Sequence, residues 1–281
     1  MNIDFPVESA VRKRYSVRNY IEKEISEENR SRIKDFIDSL DNPFGKKVNF
    51  HYLDKNTIKD EQVLGTYGFI KGATQYIGTT INLEPLSLEA LGYELETLML
   101  HLAHMGIGTC WLGGTFNRKG FAKAMNIGED EVFPILTPYG YAAEKKHVKE
   151  VLIRKISSAD KRKDWDQLFF KDDFKTNLTK EMAGDFELPL EMVRLAPSAS
   201  NKQPWRILMD EKLFHFYEYK EPKYSDSFPY DIQRIDMGIA ASHFDLSLKE
   251  KGINGSFRVI DEPSAELPEN VEYVFSWIRE K

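Results

Sequence analysis

The sequence predicts an α+β protein made of two diverged halves. Helical and strand-like stretches alternate along all 281 residues, and their order in the first half recurs in the second. Two long apolar helices carry glycines at matching places: Gly92 and Gly106 correspond to Gly238 and Gly252, a shift of 146 residues each time. A mid-helix glycine costs about 1 kcal/mol relative to alanine, so the pair indicates close backbone approach where two helices cross. We therefore expect a tandem duplication, one chain imitating a two-fold dimer. The alternative is that two amphipathic helices ending in Gly-Ile look alike by chance.

The composition narrows the function classes. With 41% hydrophobic and 12% aromatic residues, the chain can bury a sizeable core. Its formal net charge of −6 argues against a nucleic acid or an anionic membrane as partner, so an anion site must be a local cluster of basic residues. The single cysteine, Cys110, excludes an intrachain disulfide and a thiolate metal cluster, and it fits a reducing cytoplasm. Because neither a signal-peptide core nor a membrane-spanning stretch is apparent, we expect a cytoplasmic protein with a small-molecule substrate.

The elements of the first half follow from hydrophobic period and caps. Ser26 caps a predicted helix over residues 26–40, and Gly106 ends the strongest helix, 87–106, whose leucines form a broad apolar face. Strands are predicted at 48–53, 76–81 and 132–142. The charged stretch ADKRKDWDQ (159–167) is the best candidate for a linker, so we divide the chain into a first half, 1–160, and a diverged second half, 161–281.

The second half repeats this order. Helices are predicted at 188–196 and 236–252, and strands at 213–220, 256–260 and 272–278.

A basic run, RKRYSVRNY (12–20), stands near the start of the chain. In an extended segment, alternation would put Arg14, Ser16 and Arg18 on one side. Two guanidinium groups flanking a hydroxyl suit a phosphate or a ring carbonyl. The alternative is a solvated basic run ahead of a helix.

A glycine-rich segment, GIGTCWLGGTF (106–116), directly follows the long helix. Its glycines would let backbone approach a flat ligand, and Trp111 and Leu112 offer apolar surface. It lacks the Gly-Lys-Ser/Thr ending of a phosphate loop, and a turn around a core tryptophan is the alternative.

A third segment, APSASNKQPW (196–205), follows a short helix and has the composition of a ligand cradle or a helix-ending turn. We found no hydrolase triad, zinc motif or dinucleotide fingerprint. His101 and His104 share a helical face without a third ligand, so we interpret them as packing or surface residues. Cys110 is interpreted as buried, because no histidine partner is evident.

Together, RYSVRNY, GIGTCWLGG and APSASNKQPW resemble the motifs of the nitroreductase family of FMN-dependent oxidoreductases. The resemblance covers most of residues 10–160 and, more loosely, 188–260. It implies a mainly antiparallel sheet flanked by helices, with FMN bound where two subunits meet.

This chain departs from the family in the position of its cradle. In ordinary members the Pro-Ser-Ala motif follows the Arg-x-Ser-x-Arg motif closely, whereas here that place reads LDNPFGKKVNF (40–50). The cradle lies in the second half, which lacks an RYSVR-like run. Because each flavin of the family's dimer takes one motif from each subunit, the resemblance implies one complete set divided between the halves of this chain. A monomer is then able to form its own site, and further oligomerisation stays open.

The resemblance also implies roles for single residues. Arg14 and Ser16, with Tyr15 between them, match phosphate-binding positions, and Arg18 matches the basic residue at the flavin N1–C2=O edge. Leu112, Gly113 and Gly114 match the backbone near N5. The opposing cradle matches at Pro197, Ser198, Ala199 and Asn201. Looser matches are Arg154 and Lys155 as a late basic pair, and Tyr67 and Gly68.

The implied activity is electron transfer from NAD(P)H through FMN to a nitroaromatic, a quinone or a similar flat acceptor, by a two-step hydride mechanism. Arg18 is the residue that we expect to be catalytic, because a positive charge near the flavin N1 stabilises the negative charge that reduction creates. A flavin-cleaving or dehalogenating enzyme of the same fold, and a flavin-binding or sensing protein with little turnover, are the alternatives.

Overall fold

A computed structural model describes residues 3–58, 64–144, 161–211, 213–261 and 266–280 of the chain. Its α-helices are α1 (Val7–Lys13), α2 (Glu27–Asp38), α3 (Ser87–His104), α4 (Arg118–Ala124), α5 (Lys180–Ala183), α6 (Glu187–Leu195) and α7 (Gln233–Glu250). Short 3-10 helices lie at Lys55–Thr57, Trp165–Gln167, Gly184–Phe186 and Ala199–Asn201.

Strands form two separate sheets, one in each half of the chain. The strands are β1 (Asn49–Asp54), β2 (Gln75–Ile81), β3 (Gly108–Thr109), β4 (Val132–Gly140), β5 (Phe169–Lys171), β6 (Asp173–Asn177), β7 (Trp205–Asp210), β8 (Leu213–Tyr219), β9 (Gly255–Arg258) and β10 (Val271–Arg279). The first sheet has the order β1-β2-β4-β3, and the second has the order β6-β5-β7-β8-β10-β9. All pairings are antiparallel except β5 with β7, which is parallel.

The two sheets share one topology. β1, β2, β4 and β3 of the first sheet correspond in order to β7, β8, β10 and β9 of the second, and β5 and β6 extend the second sheet at the β7 edge. A long helix follows the second strand of each set, α3 after β2 and α7 after β8. The predicted α+β fold with two diverged halves is therefore confirmed.

Helices α3 and α7 cross at the two glycines that the sequence singled out. A Cβ atom on Gly92 would overlap the backbone of Ile235, and one on Gly238 would overlap the backbone of Glu89. Ile235 and Gly238 lie 146 positions after Glu89 and Gly92, so each contact has its counterpart from the other helix. Such reciprocity is the signature of a two-fold interface, here within one chain.

Most sequence-predicted elements are confirmed with bounds shifted by a few residues. The Ser26 side chain accepts a hydrogen bond from the Asn29 amide and caps α2, whose Ile33, Phe36 and Ile37 are buried. Gly106 and Gly252 follow the two long helices in the left-handed conformation, with φ of 77° and 70°. Sequence reasoning missed seven elements: α1, α4, α5, β3, β5, β6 and β7. Six of them have seven residues or fewer without a clear period, and β7, although largely buried, begins at the end of the proline-containing APSASNKQPW segment.

His101 is a packing residue, as expected. Its ring stacks on Phe36 with centroids 3.9 Å apart and packs edge-on against Phe5. Within the described ranges, no group of three or more His, Cys, Asp or Glu side chains could hold a metal ion. In the same part of the chain, no helix combines the length and apolarity needed to cross a bilayer.

Candidate functional site

The three sequence motifs meet in one cleft between the halves of the chain. The cleft has a volume of about 800 Å³, within the range of small-molecule and cofactor sites. Its first-half walls come from residues 11–18 and 110–115, and its second-half walls come from residues 195–201 and from α7. Eleven of the residues implied by the family resemblance line it: Arg14, Tyr15, Ser16, Arg18, Leu112, Gly113, Gly114, Pro197, Ser198, Ala199 and Asn201.

The RYSVR segment is extended, so the predicted alternation holds. Ser16 forms a parallel bridge with Thr109, and the Val17 amide donates to the Thr109 carbonyl at 2.8 Å. Val17 is buried between two cleft-lining neighbours. The Val17 side chain occupies the space that a Cβ on Gly108 would need. Glycine at position 108 therefore allows the RYSVR segment to lie close to β3. Arg18 donates from Nη1 to the Ser16 carbonyl at 3.4 Å.

Arg14, one of the predicted phosphate-binding residues, has a buried side chain. Its side chain is 6% exposed, and its Nε lies 3.6 Å from Oε1 of the fully buried Glu96. Glu96 also accepts a 2.8 Å hydrogen bond from Trp111 Nε1. Arg14 Nη1 is buried and has no hydrogen-bond partner among the described residues. Sequence reasoning missed Glu96, which lies within the apolar pattern of α3.

The glycine-rich segment forms a wall that side chains of the second half approach. Leu112 exchanges two backbone hydrogen bonds with Leu136, both 3.0 Å, which ties the segment to β4. A Cβ on Gly113 would lie 2.9 Å from Ile232, and one on Gly114 would lie 3.5 Å from Phe228. Because the two glycines have no Cβ, a narrow gap remains between this wall and the side chains of the second half.

The cradle after α6 adopts an unusual backbone. Ser200, Asn201 and Gln203 have positive φ values of 49°, 57° and 50°. Ser198 Oγ accepts a hydrogen bond from the Gln203 amide at 2.8 Å and closes the turn. Three non-glycine residues in the left-handed region cost free energy, and such strain clusters at ligand sites.

Asp236 is a carboxyl group of the cleft that sequence reasoning missed. It lines the cleft, is 3% exposed and accepts a hydrogen bond from the Ala199 amide at 3.0 Å. Burial raises the pKa of Asp236 well above its ordinary value, although the Ala199 hydrogen bond lowers it in part. A carboxyl group whose pKa rises in this way is easier to keep neutral, which leaves the arginines as the main charges of the cleft.

Arg162 is a second residue that sequence reasoning missed, because it stands in the charged stretch interpreted as a linker. It lines the cleft and donates to the Leu195 carbonyl and to Asn201 Oδ1, the latter at 3.2 Å. The interpretation of residues 159–167 as a linker or domain boundary stays a prediction, but it did not anticipate this contact with the cradle. A guanidinium from the start of the second half contributes to the site.

A loop between β8 and α7 covers part of the cleft with aromatic rings. Tyr224 and Phe228 line it, and the Tyr224 hydroxyl donates to Ser200 Oγ at 2.9 Å. Burial raises the pKa of Tyr224, so its hydroxyl is a stable donor. The clustering of tyrosine, phenylalanine and proline over residues 221–230 is the only sequence signal for this cover.

The looser sequence predictions concern Tyr67, Gly68, Arg154 and Lys155. Tyr67 is 65% exposed, and neither it nor Gly68 lines the cleft, although the neighbouring Phe69 does. Both therefore stay predictions without support from the geometry. Arg154 and Lys155 lie outside the described residues.

The cleft has a pseudo-two-fold counterpart that aromatic side chains fill. Phe44 lies between α2 and β1, the place that corresponds to the cradle, and its ring lies 6.4 Å from Tyr93, 5.8 Å from Phe257 and 5.2 Å from Phe275. Tyr93 and Phe257 are the 146-residue counterparts of Ile239 and Trp111, which line the cleft. An open hollow of about 620 Å³ nearby is lined by first-half residues, and no arginine is among those that the structure describes there.

Comparison with known proteins gives a family and a fold. The family model described as "Putative TM nitroreductase" matches residues 7–248. A crystal structure of a putative nitroreductase from Thermotoga maritima MSB8 is 21% identical, with a TM-score of 0.61 over 99% of this chain and 95% of that one. No curated protein matches the sequence.

Two further structures resemble about half of the chain. An FMN-dependent nitroreductase from Clostridium difficile R20291 is 18% identical, with a TM-score of 0.41 over 49% of this chain and 88% of that one. A nitroreductase with bound FMN from Desulfitobacterium hafniense DCB-2 is also 18% identical, with a TM-score of 0.39 over 51% and 94%.

Proposed function

Because the chain belongs to the nitroreductase family whose model matches residues 7–248, we propose that it is an FMN-dependent oxidoreductase. Electrons would pass from NAD(P)H to a nitroaromatic, a quinone or a similar flat acceptor. The observation that carries this proposal is the meeting of the three motifs, from both halves, in one cleft of about 800 Å³.

The residues of the cleft fit FMN in charge and in shape. Arg14 Nη1 is a buried donor without a hydrogen-bond partner among the described residues, which suits a phosphate oxygen. Gly113 and Gly114 offer backbone without a Cβ, which suits a flat ring. When bound, FMN would supply the hydride and electron chemistry that no side chain of the cleft can supply.

The arginines of the cleft have separate roles in this proposal. Arg14 and Ser16 would bind the phosphate, with Tyr15 at the cleft mouth, where it is 46% exposed. Arg18 would provide positive charge for the N1–C2=O edge, where reduction of a flavin places negative charge. Arg162 adds a cation beside the cradle, on the side opposite the RYSVR segment.

The cradle and the glycine wall would hold the flavin ring between the halves. On one side the ring would be held by Pro197, Ser198, Ala199 and Asn201, and on the other by the backbone of Leu112, Gly113 and Gly114. The aromatic cover, Tyr224 and Phe228, limits access and favours a flat acceptor. Solvent supplies the protons.

One chain is enough for this site, because both walls belong to the same polypeptide. We therefore propose a monomer with one FMN. The division of the chain at residue 160 stays part of the proposal, with residues 1–160 giving the arginines and residues 161–281 giving the cradle.

The test is to purify the protein, reconstitute it with FMN and follow NADH and NADPH oxidation with a nitroaromatic and a quinone. Steady turnover by a yellow protein supports the oxidoreductase. Stable FMN binding without turnover would instead support a flavin-binding or sensing protein. Consumption of the flavin itself, or halide release from a halogenated aromatic, would support the specialised enzymes. A protein that binds no flavin would contradict the proposal.

A further inference from the structure

Three buried ionisable side chains meet between the halves of the chain, behind the wall of the cleft. Arg14 and Glu96 belong to the first half, and His243 belongs to α7 in the second. Glu96 Oε1 lies 3.6 Å from Arg14 Nε and 2.9 Å from His243 Nε2. The side chains of Glu96 and His243 are both 0% exposed, so water cannot solvate them.

Hydrogen-bond chemistry places a proton between Glu96 and His243. His243 Nδ1 lies 2.9 Å from the Met192 carbonyl oxygen, which can only accept, so Nδ1 carries a hydrogen and donates. A neutral ring protonated at Nδ1 has a lone pair on Nε2. A carboxylate oxygen 2.9 Å from that lone pair would be repelled unless one proton lay between them. The pair is therefore either imidazolium with carboxylate or imidazole with carboxylic acid.

Both arrangements give the cluster the same net charge. In the first arrangement, the positive charge of the imidazolium cancels the negative charge of the carboxylate. In the second, the imidazole and the carboxylic acid are both uncharged. Arg14 adds one positive charge in either case, since a guanidinium stays protonated in proteins. Despite its contact with Glu96, Arg14 thus keeps an uncompensated charge.

Three neighbouring carboxyl groups on α3 and α7 have other hydrogen-bond or ion-pair partners. Asp245 accepts from Tyr93 and pairs with Lys249 at 2.7 Å, and Glu94 accepts from Asn42. Asp236 is bound to the Ala199 amide. Burying an unpaired charge is costly, so an anion in the cleft that Arg14 lines would stabilise the arrangement.

We propose that Glu96 and His243 are positioning residues that share one proton and so keep the charge of Arg14 available for an anionic group of the ligand. That this group is the phosphate of FMN rests on the function proposed above. The pair also joins the two halves, because residues 96 and 243 are 147 positions apart.

The experiment compares FMN with riboflavin, which lacks the phosphate. In His243→Gln the amide donates to Glu96 but carries no shared proton, so a Glu96 carboxylate in this variant offsets the charge of Arg14. We expect FMN affinity to fall about tenfold or more, while riboflavin affinity stays within about threefold. Replacing both residues, Glu96→Gln with His243→Gln, removes the carboxylate and should restore most of the lost FMN affinity.

His215→Gln is the matched control. His215 is also buried and hydrogen-bonded, to Ser276, but it lies on β8 and not beside Arg14 and Glu96. Its substitution should leave the ratio of the two affinities unchanged. An equal loss of FMN and riboflavin affinity in His243→Gln, or a double variant weaker than the single one, would overturn the proposal.

A second measurement needs no variant and no flavin. In ¹⁵N-histidine NMR of the wild-type protein, we expect His243 Nδ1 to carry a proton and Nε2 to show either a second proton or a strong hydrogen bond. A ring with a bare Nδ1 would overturn the shared proton. Since this spectrum is independent of FMN binding, it also separates a failure of this proposal from a failure of the proposed function.

Discussion

Gly92 and Gly238 stand against each other where α3 crosses α7, and a Cβ built on Gly92 would lie 3.1 Å from the Cα of Gly238. The contact joins the two halves at the centre of the molecule. All but two residues of α3 are buried, so the helix has few alternative positions.

We expect Gly92→Ala to lower the free energy of unfolding by about 1–3 kcal/mol or more, because the new methyl overlaps backbone that cannot rotate away. This exceeds the roughly 1 kcal/mol that alanine gains in helix propensity. Denaturant unfolding measures the change. Gly128→Ala is the control, since its methyl would meet mainly the flexible Asp130 side chain. Equal stability of the two variants would contradict the close crossing.

Arg14→Ala should weaken FMN binding by about 1.5–3 kcal/mol, the usual size of a charge-assisted hydrogen bond to a buried group. Flavin fluorescence titration gives the affinity. Lys34→Ala is the control, because Lys34 is exposed on α2, away from the cleft. If Arg14→Ala binds FMN as tightly as wild type, the phosphate site lies elsewhere.

Arg18→Gln should leave FMN binding largely intact and lower the reduction potential of the flavin. A positive charge near N1 stabilises the reduced, more negative form, so its removal favours the oxidised form. Redox titration of the variant, wild type and Arg32→Gln tests this, since Arg32 is exposed on α2. An unchanged potential with correctly bound flavin would remove Arg18 from the proposed mechanism.

Reconstituted protein should hold one FMN per chain and should keep it as a monomer. The counterpart of the cleft is filled by Phe44, Tyr93, Phe257 and Phe275, and the described residues that line the open hollow nearby include no arginine, so we expect no second flavin. Flavin absorbance per chain and light scattering at low concentration measure both quantities. Two flavins per chain would refute the filled counterpart, and loss of flavin on dissociation to monomers would move the cradle to another subunit.

Stability should fall as the pH rises from about 4.5 to about 7, in part because of Glu94. Burial raises the pKa of Glu94 from 4.5 to about 7, against the opposing hydrogen bond from Asn42. The folded state therefore binds more protons than the unfolded state in this range, and the free energy of unfolding decreases with pH. The contribution is roughly 3 kcal/mol.

Glu94→Gln should flatten this pH dependence by about that amount. Urea unfolding at pH 5 and pH 7.5 measures it, with Glu28→Gln, exposed on α2, as the control. Identical slopes for wild type and Glu94→Gln would contradict the raised pKa.

The sequence by itself determined the long helices, most of the strands, the duplication and the three motifs. These depend on local pattern: the capping of α2 by Ser26, the apolar face of α3 and the shift of 146 residues between matching glycines are all readable along the chain. Short elements such as β5 and β6 were not predicted, because three to five residues are too few to show a hydrophobic period.

Only the tertiary structure decided which side chains share the site. Glu96 and His243 are 147 positions apart, and each lies in an amphipathic helix whose pattern predicts burial and nothing more. Arg162 reads as part of a charged linker until the fold brings it to Asn201, and Phe44 reads as a loop residue until it packs against Phe257 and Phe275. Periodicity reports which face of an element is buried. The partner that buries it depends on the crossing of α3 with α7, which no local pattern contains.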